Sequence, residues 1–180
     1  MKKTLNTLHQ LLAVLLLASI VSFPAVSQAN ETQASAKGHT LKIFPELKNA
    51  SSADRFPGDP PEHKAVYMWN KSDPEYQTHI LNSIQAMITE FGDNVAIAVV
   101  AIGPGIHVLA KKPMRKVDSL TYERVKSLAK DYNVRWIACG NTMKTIGWTD
   151  KDMRPFAEYA QVGAAAIMAL QEHGYKLIAW

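Results

Sequence analysis

The chain has 180 residues, with 20 Lys and Arg against 16 Asp and Glu, and a single cysteine. One cysteine excludes an intramolecular disulfide, so the fold must be held by its core alone. The positive excess is scattered apart from Lys111, Lys112, Arg115 and Lys116, so the clustered basic footprint of a nucleic-acid binder is missing.

The first element expected is a signal peptide. Lys2 and Lys3 form a positive start, Leu11 to Phe23 an uncharged apolar stretch, and Ser27-Gln28-Ala29 a small-x-small cleavage site. The apolar stretch is 13 residues, short of the roughly 18–20 that span a bilayer. Cleavage after Ala29 leaves a chain starting at Asn30 with 18 basic and 16 acidic residues. The expected location is secreted or periplasmic, with no membrane attachment after cleavage. Residues 30–63 are polar and turn-rich ("NASSADRFPGDPPEH") and read as a linker or N-terminal extension, with "TLKIF" (40–44) as a short strand within it. Residues 64–180 read as one domain.

That domain opens with a strand at "AVYMW" (65–69). Asp73-Pro74 then supplies a cap and a proline at the first helical position. Ile80, Leu81, Ile84, Met87, Ile88 and Phe91 form one helical stripe, which Gly92 ends. "VAIAVVAI" (95–102) is apolar on both faces of the pleat, as in a parallel strand covered on two sides. "GPGIHVLA" reads as a turn and short helix, and Thr121 as the cap of a helix running to about Tyr132. "VRWIAC" (134–139) is the third strand, "TDKD" (149–152) a capped turn, and "FAEYA" (156–160) the fourth strand. An alanine-rich helix from Gly163 to His173 and a last strand, "YKLIA" (175–179), close the chain. Strands alternating with helices predict a three-layer α/β sandwich with a five-stranded, mostly parallel sheet. The flavodoxin-like order 2-1-3-4-5 is the natural expectation, with a ligand crevice at the carboxyl ends of the strands. Cys139 ends the third strand, and Asn70 follows the first.

A thiol reacts as its thiolate, and the free amides of a helix N-terminus favour that form. Gly140 allows a tight strand-to-helix turn, and Asn141 and Thr142 can cap a helix through Met143 to Ile146 beside the sulfur. Gly103 and Gly105 of the "GPG" turn, with Asn70, are expected to line the crevice. His107 follows the second strand on the same sheet edge and is the histidine best placed to assist proton transfer. "GPG" falls short of a phosphate-binding glycine loop, since Pro104 has no amide to donate. No CxxC or HxxxH spacing points to a metal, and no cofactor is expected.

The run "VYMWN…HILNSIQAMI…DNVAIAVVAIGPGIHVLA…VRWIACGNTM…GW…VGAAAIMALQEHGY" resembles the DsrE/DsrF-like family of sulfur-relay proteins, and most of all its exported single-domain branch. The resemblance implies a parallel α/β sandwich and a homo-oligomer, a trimer or hexamer. It also implies that Cys139 accepts sulfur as a persulfide and passes it on, with Gly147 matching the glycine eight residues later. Where sulfur-relay members often carry a basic residue just before that glycine, this chain has Thr145 and Ile146, and Lys144 is the nearest cation. The function expected is an exported persulfide carrier or sulfurtransferase whose partner is a sulfur donor or acceptor protein or a small persulfide. Two rivals stand beside it. One is a non-catalytic ligand-binding or assembly module with a structural cysteine. The other is a thiol sensor that forms mixed disulfides.

Overall fold

The computed structural model describes Phe56 and residues 58–180. The expected signal peptide, its cleavage site, the 40–44 strand and most of the 30–63 extension lie outside the described residues. The elements are β1 (His63–Trp69), α1 (Pro74–Phe91), β2 (Val95–Ala101), a 3-10 helix (Gly103–Leu109), α2 (Ser119–Asp131), β3 (Arg135–Cys139), α3 (Gly140–Thr145), a 3-10 turn (Asp150–Asp152), β4 (Ala157–Ala160), α4 (Gly163–Glu172) and β5 (Lys176–Ile178).

Local chemistry sets most boundaries. The Tyr76 amide donates to Asp73 Oδ1 at 2.8 Å, which caps α1 ahead of Pro74. Gly92 ends that helix at φ 58°, a conformation other residues rarely adopt. Two helix starts differ from expectation. Asp118, not Thr121, precedes α2. Thr121 lies within the helix, buried with Val125 and Leu128, because spacings of four and three put all three on the inner face. Likewise α3 begins at Gly140, with Cys139 itself in the cap position and Asn141 and Thr142 inside the first turn.

The sheet is entirely parallel, in the order β4-β3-β2-β1-β5. The expected order 2-1-3-4-5 is corrected in one respect: β2 separates β1 from β3, and β5 takes the other side of β1 through Ala65, Val66 and Tyr67. The reason is where the helices lie. α1 and α2 pack on one face, where Arg124 Nη2 donates to Asn82 Oδ1 at 2.9 Å. Successive right-handed crossovers on one face move the sheet in one direction, from β1 through β4. The chain then returns over the opposite face through α4, which touches all five strands, and lands beside β1.

Residues alternate between two cores. Tyr67, Trp69, Val99, Ala101, Trp136 and Ala138 pack under α1 and α2, while Val66, Ala98, Val100 and Ile137 pack under Ile167 and Leu170 of α4. Strands β1 to β3, apolar on both faces, are the centre of this three-layer sandwich.

Candidate functional site

The segments that follow β2, β3 and β4 converge at the carboxyl edge of the sheet, around Cys139. The Gly103 amide donates to Thr142 Oγ1 at 2.9 Å, tying the start of the 3-10 helix to α3. The Asn141 amide donates to the Gln161 carbonyl at 3.0 Å, tying α3 to the turn before α4. The Gly163 amide donates to Cys139 Sγ at 3.2 Å. Cys139 thus stands in the cap position of α3 and receives the first amide of α4, and it is 4% exposed.

Two helix N-termini therefore face one sulfur. Burial pushes the thiol pKa up, and it is the largest single influence. The Thr142 hydroxyl and amide, with the Gly163 and Asn141 amides, together outweigh it and hold the thiol below its ordinary range. Among these donors Gly163 makes the well-formed hydrogen bond. Asn141 already serves the Gln161 carbonyl, and Cys139 makes no side-chain capping bond to α3. Asn141 and the Thr142 groups therefore act mainly as nearby oriented dipoles.

A side chain would meet close neighbours at both helix starts. A Cβ on Gly163 would lie 2.8 Å from Ile102 Cγ1 and 3.0 Å from Cys139 Cβ, so α4 could not close on the sulfur. A Cβ on Gly140 would collide with the ring of Tyr159, whose hydroxyl donates to Gln161 Oε1 at 2.6 Å.

The expected site residues divide into two groups. Cys139, Gly140, Asn141, Thr142 and Gly103 come together. Asn70 does not join them, because β2 intervenes between β1 and β3. Its amide donates to Tyr76 Oη at 3.2 Å, and that hydroxyl donates to Asn70 Oδ1 at 3.0 Å. Gly105 presses against the Trp69 carbonyl, a close approach that excludes a side chain. His107 is 5% exposed and accepts the Met114 amide at Nδ1, 3.3 Å away, while its ring packs edge-on against Trp148. The ring thus meets Met114 and Trp148 and not the sulfur.

Sequence reasoning missed Gly163, Gln161, Tyr159 and Arg115. Two left a trace: Gly163 as the glycine opening an otherwise alanine-rich helix, and Arg115, which lines a cavity beside Thr142, as one of a small basic group. Cavities flank the site. One of about 600 Å³ is lined by Gly140, Met143, Lys144, Trp148, Tyr159 and Gln161 among others. Another, of about 330 Å³, lies beyond Thr142. Among the described residues no group of three or more His, Cys, Asp or Glu side chains is arranged to hold a metal ion, and no helix is long and apolar enough to cross a membrane.

Residues 64–180 match the model of the DsrE/DsrF-like family. Among solved structures, the chain resembles a protein of unknown function, MTH1491, from Methanobacterium thermoautotrophicum. That likeness has a TM-score of 0.59 and 23% identity and covers 66% of this chain and 100% of the other, which establishes the shared fold. No curated protein matches.

Proposed function

Because the chain belongs to the DsrE/DsrF-like family, we propose that it handles sulfur through Cys139, as a persulfide carrier or sulfurtransferase. The observation that carries this reading is the thiol set between the N-termini of α3 and α4, with its pKa lowered by the surrounding donors. In the proposed step, the Cys139 thiolate attacks the outer sulfur of a donor persulfide, R–S–SH. The new S–S bond forms as the R–S bond breaks, and its electron pair leaves on R–S⁻. The product is Cys139–S–SH, and the reverse sequence delivers the sulfur to an acceptor thiolate. No second cysteine is needed.

Intact-mass spectrometry tests this directly. Incubation with a small persulfide donor should add about one sulfur atom, reversed by reductant and absent in Cys139→Ser. The near-complete burial of the thiol favours the rival reading of a packing residue in a binding module. A folded protein that gains no sulfur, and whose thiol is alkylated only after denaturation, would establish that rival instead. A glutathione adduct on freshly isolated protein would point to the thiol-sensor reading.

We also propose that the protein is exported and self-associates. Export is supported by the Lys2–Ala29 pattern. Self-association is supported by the exposed apolar side chains of Tyr159, Val162, Met168 and Leu177. Protein recovered from the exported fraction should begin at Asn30 and elute as a trimer or hexamer by light scattering. A start at Met1 rejects cleavage, and a monomer at all concentrations rejects assembly.

A further inference from the structure

We infer that the cavity lined by His107, Arg115, Thr142 and Thr145 is a binding site for a small inorganic oxyanion of sulfate or phosphate size. It does not rest on the sulfur-handling reading. The cavity holds about 330 Å³ and is completed by Gly103, Pro104 and Ile146. Its polar groups are arranged for an anion. His107 is 5% exposed, and its Nδ1 accepts the Met114 amide. The ring proton therefore sits on Nε2, which meets no hydrogen-bond partner among the described residues. This buried imidazole lining the cavity thus keeps one donor unspent. Burial, reinforced by the positive charge of Arg115, pushes the His107 pKa down and keeps the ring in this neutral, donating form.

Arg115 supplies the charge. It has no ion pair or side-chain hydrogen bond among the described residues, and its guanidinium can grip an oxyanion through two parallel N–H groups. Thr142 Oγ1 accepts the Gly103 amide and its single proton serves the Cys139 sulfur, so Thr142 shapes the wall of the cavity and leaves the donating to His107 and Arg115. Thr145 Oγ1 donates to the Asn141 carbonyl at 2.8 Å and contributes bulk rather than a donor. No Asp or Glu lines the cavity, so nothing there neutralises Arg115 or repels an anion. The same composition disfavours a metal cation. Pro104 offers no amide, so the anion is held by side chains and not by a backbone cradle.

The test is titration of the full chain with sodium sulfate, at ionic strength held constant with sodium chloride, followed by calorimetry and by amide NMR shifts. Saturable binding is expected, with the largest shifts at Gly103, Met114 and Thr142. Arg115→Gln should weaken it about tenfold or more, and His107→Gln should weaken it in the same direction. Lys130→Gln, in the last turn of α2, should leave affinity within about twofold. Absence of saturable binding, or equal affinity in Arg115→Gln, overturns the proposal. So does equal weakening by Lys130→Gln, which would mean general charge screening. Arg115 is exposed, so its variant keeps the test valid even where His107→Gln fails to fold. Failure of Cys139 to accept sulfur would leave each of these readouts unchanged.

Discussion

Thr142 joins the two halves of the site. Its hydroxyl accepts the Gly103 amide and, of the groups that lower the pKa of Cys139, it stands first. Thr142→Val keeps the shape and removes the oxygen. The thiol pKa should then rise, because burial loses its main opponent, and the rate of alkylation near neutral pH should fall. The Gly103 amide also loses its acceptor, which costs about 1–3 kcal/mol of stability if no water replaces it. A pH series of alkylation rates, with a urea melt alongside, measures both effects. An unchanged pKa would show that the helix amides act without the hydroxyl. The Gly163 hydrogen bond to sulfur survives this change, so the two contributions can be separated.

At the scale of elements, α3 and α4 meet the sulfur at glycines whose neighbours differ in how far they can yield. Gly163 faces Ile102 and the Cys139 Cβ, both set in the packed edge of the sheet. Gly140 faces Tyr159, a ring that is 53% exposed and can swing outward. Gly163→Ala should therefore cost about 1–3 kcal/mol and lengthen or break the amide-to-sulfur bond, raising the thiol pKa. Gly140→Ala should cost less and leave that pKa near the wild-type value. Equal losses in the two variants, read from denaturation midpoints, would show that Tyr159 is held as firmly as Ile102. Between β3 and β4, the Arg135–Glu158 ion pair at 2.6 Å is nearly half exposed on both sides. Solvent screening limits such pairs to about 0–1 kcal/mol, so it is a minor contributor beside the apolar contacts of α4.

For the whole molecule, the two buried titratable groups near the site act on stability in the same direction. The Cys139 thiol and the His107 imidazole both have lowered pKa values in the folded protein. Between its folded and unfolded values, each group binds more protons when the chain is unfolded, so stability rises with pH. The thiol contribution is fully present above the unfolded thiol value of about 8.5 and is lost as pH falls through the folded value. The imidazole contribution is complete above about 6.5 and is lost in the same way at lower pH. Urea midpoints should therefore climb from acid to mildly alkaline pH, and the advantage of wild type over Cys139→Ser should be larger at high pH than at low pH. An advantage that shrinks with rising pH would contradict the lowered thiol pKa.

The sequence alone determined the element order, the two-sided burial of β2 and the position of Cys139 at the end of a strand. These follow from side-chain periodicity and from caps such as Asp73 and Gly92, which act within a few residues of themselves. The start of α3 was nearly legible, but Gly140 is already helical, so the cap fell on Cys139, the last residue of β3, and not on the Asn-Thr pair. Strand neighbours were not legible. Strands buried on both faces carry the same apolar signature whichever strand lies beside them, so only the packing of α1 and α2 on one face placed β2 between β1 and β3. That placement separated Asn70 from the site and set the segment after β2, with Gly103 and Arg115, beside Thr142, while Gly163 and Gln161 arrive from the turn after β4. Tertiary structure alone decided that the sulfur meets two helix N-termini, because the second belongs to α4, whose first residue follows the β4 strand that pairs with Cys139 through Ala160.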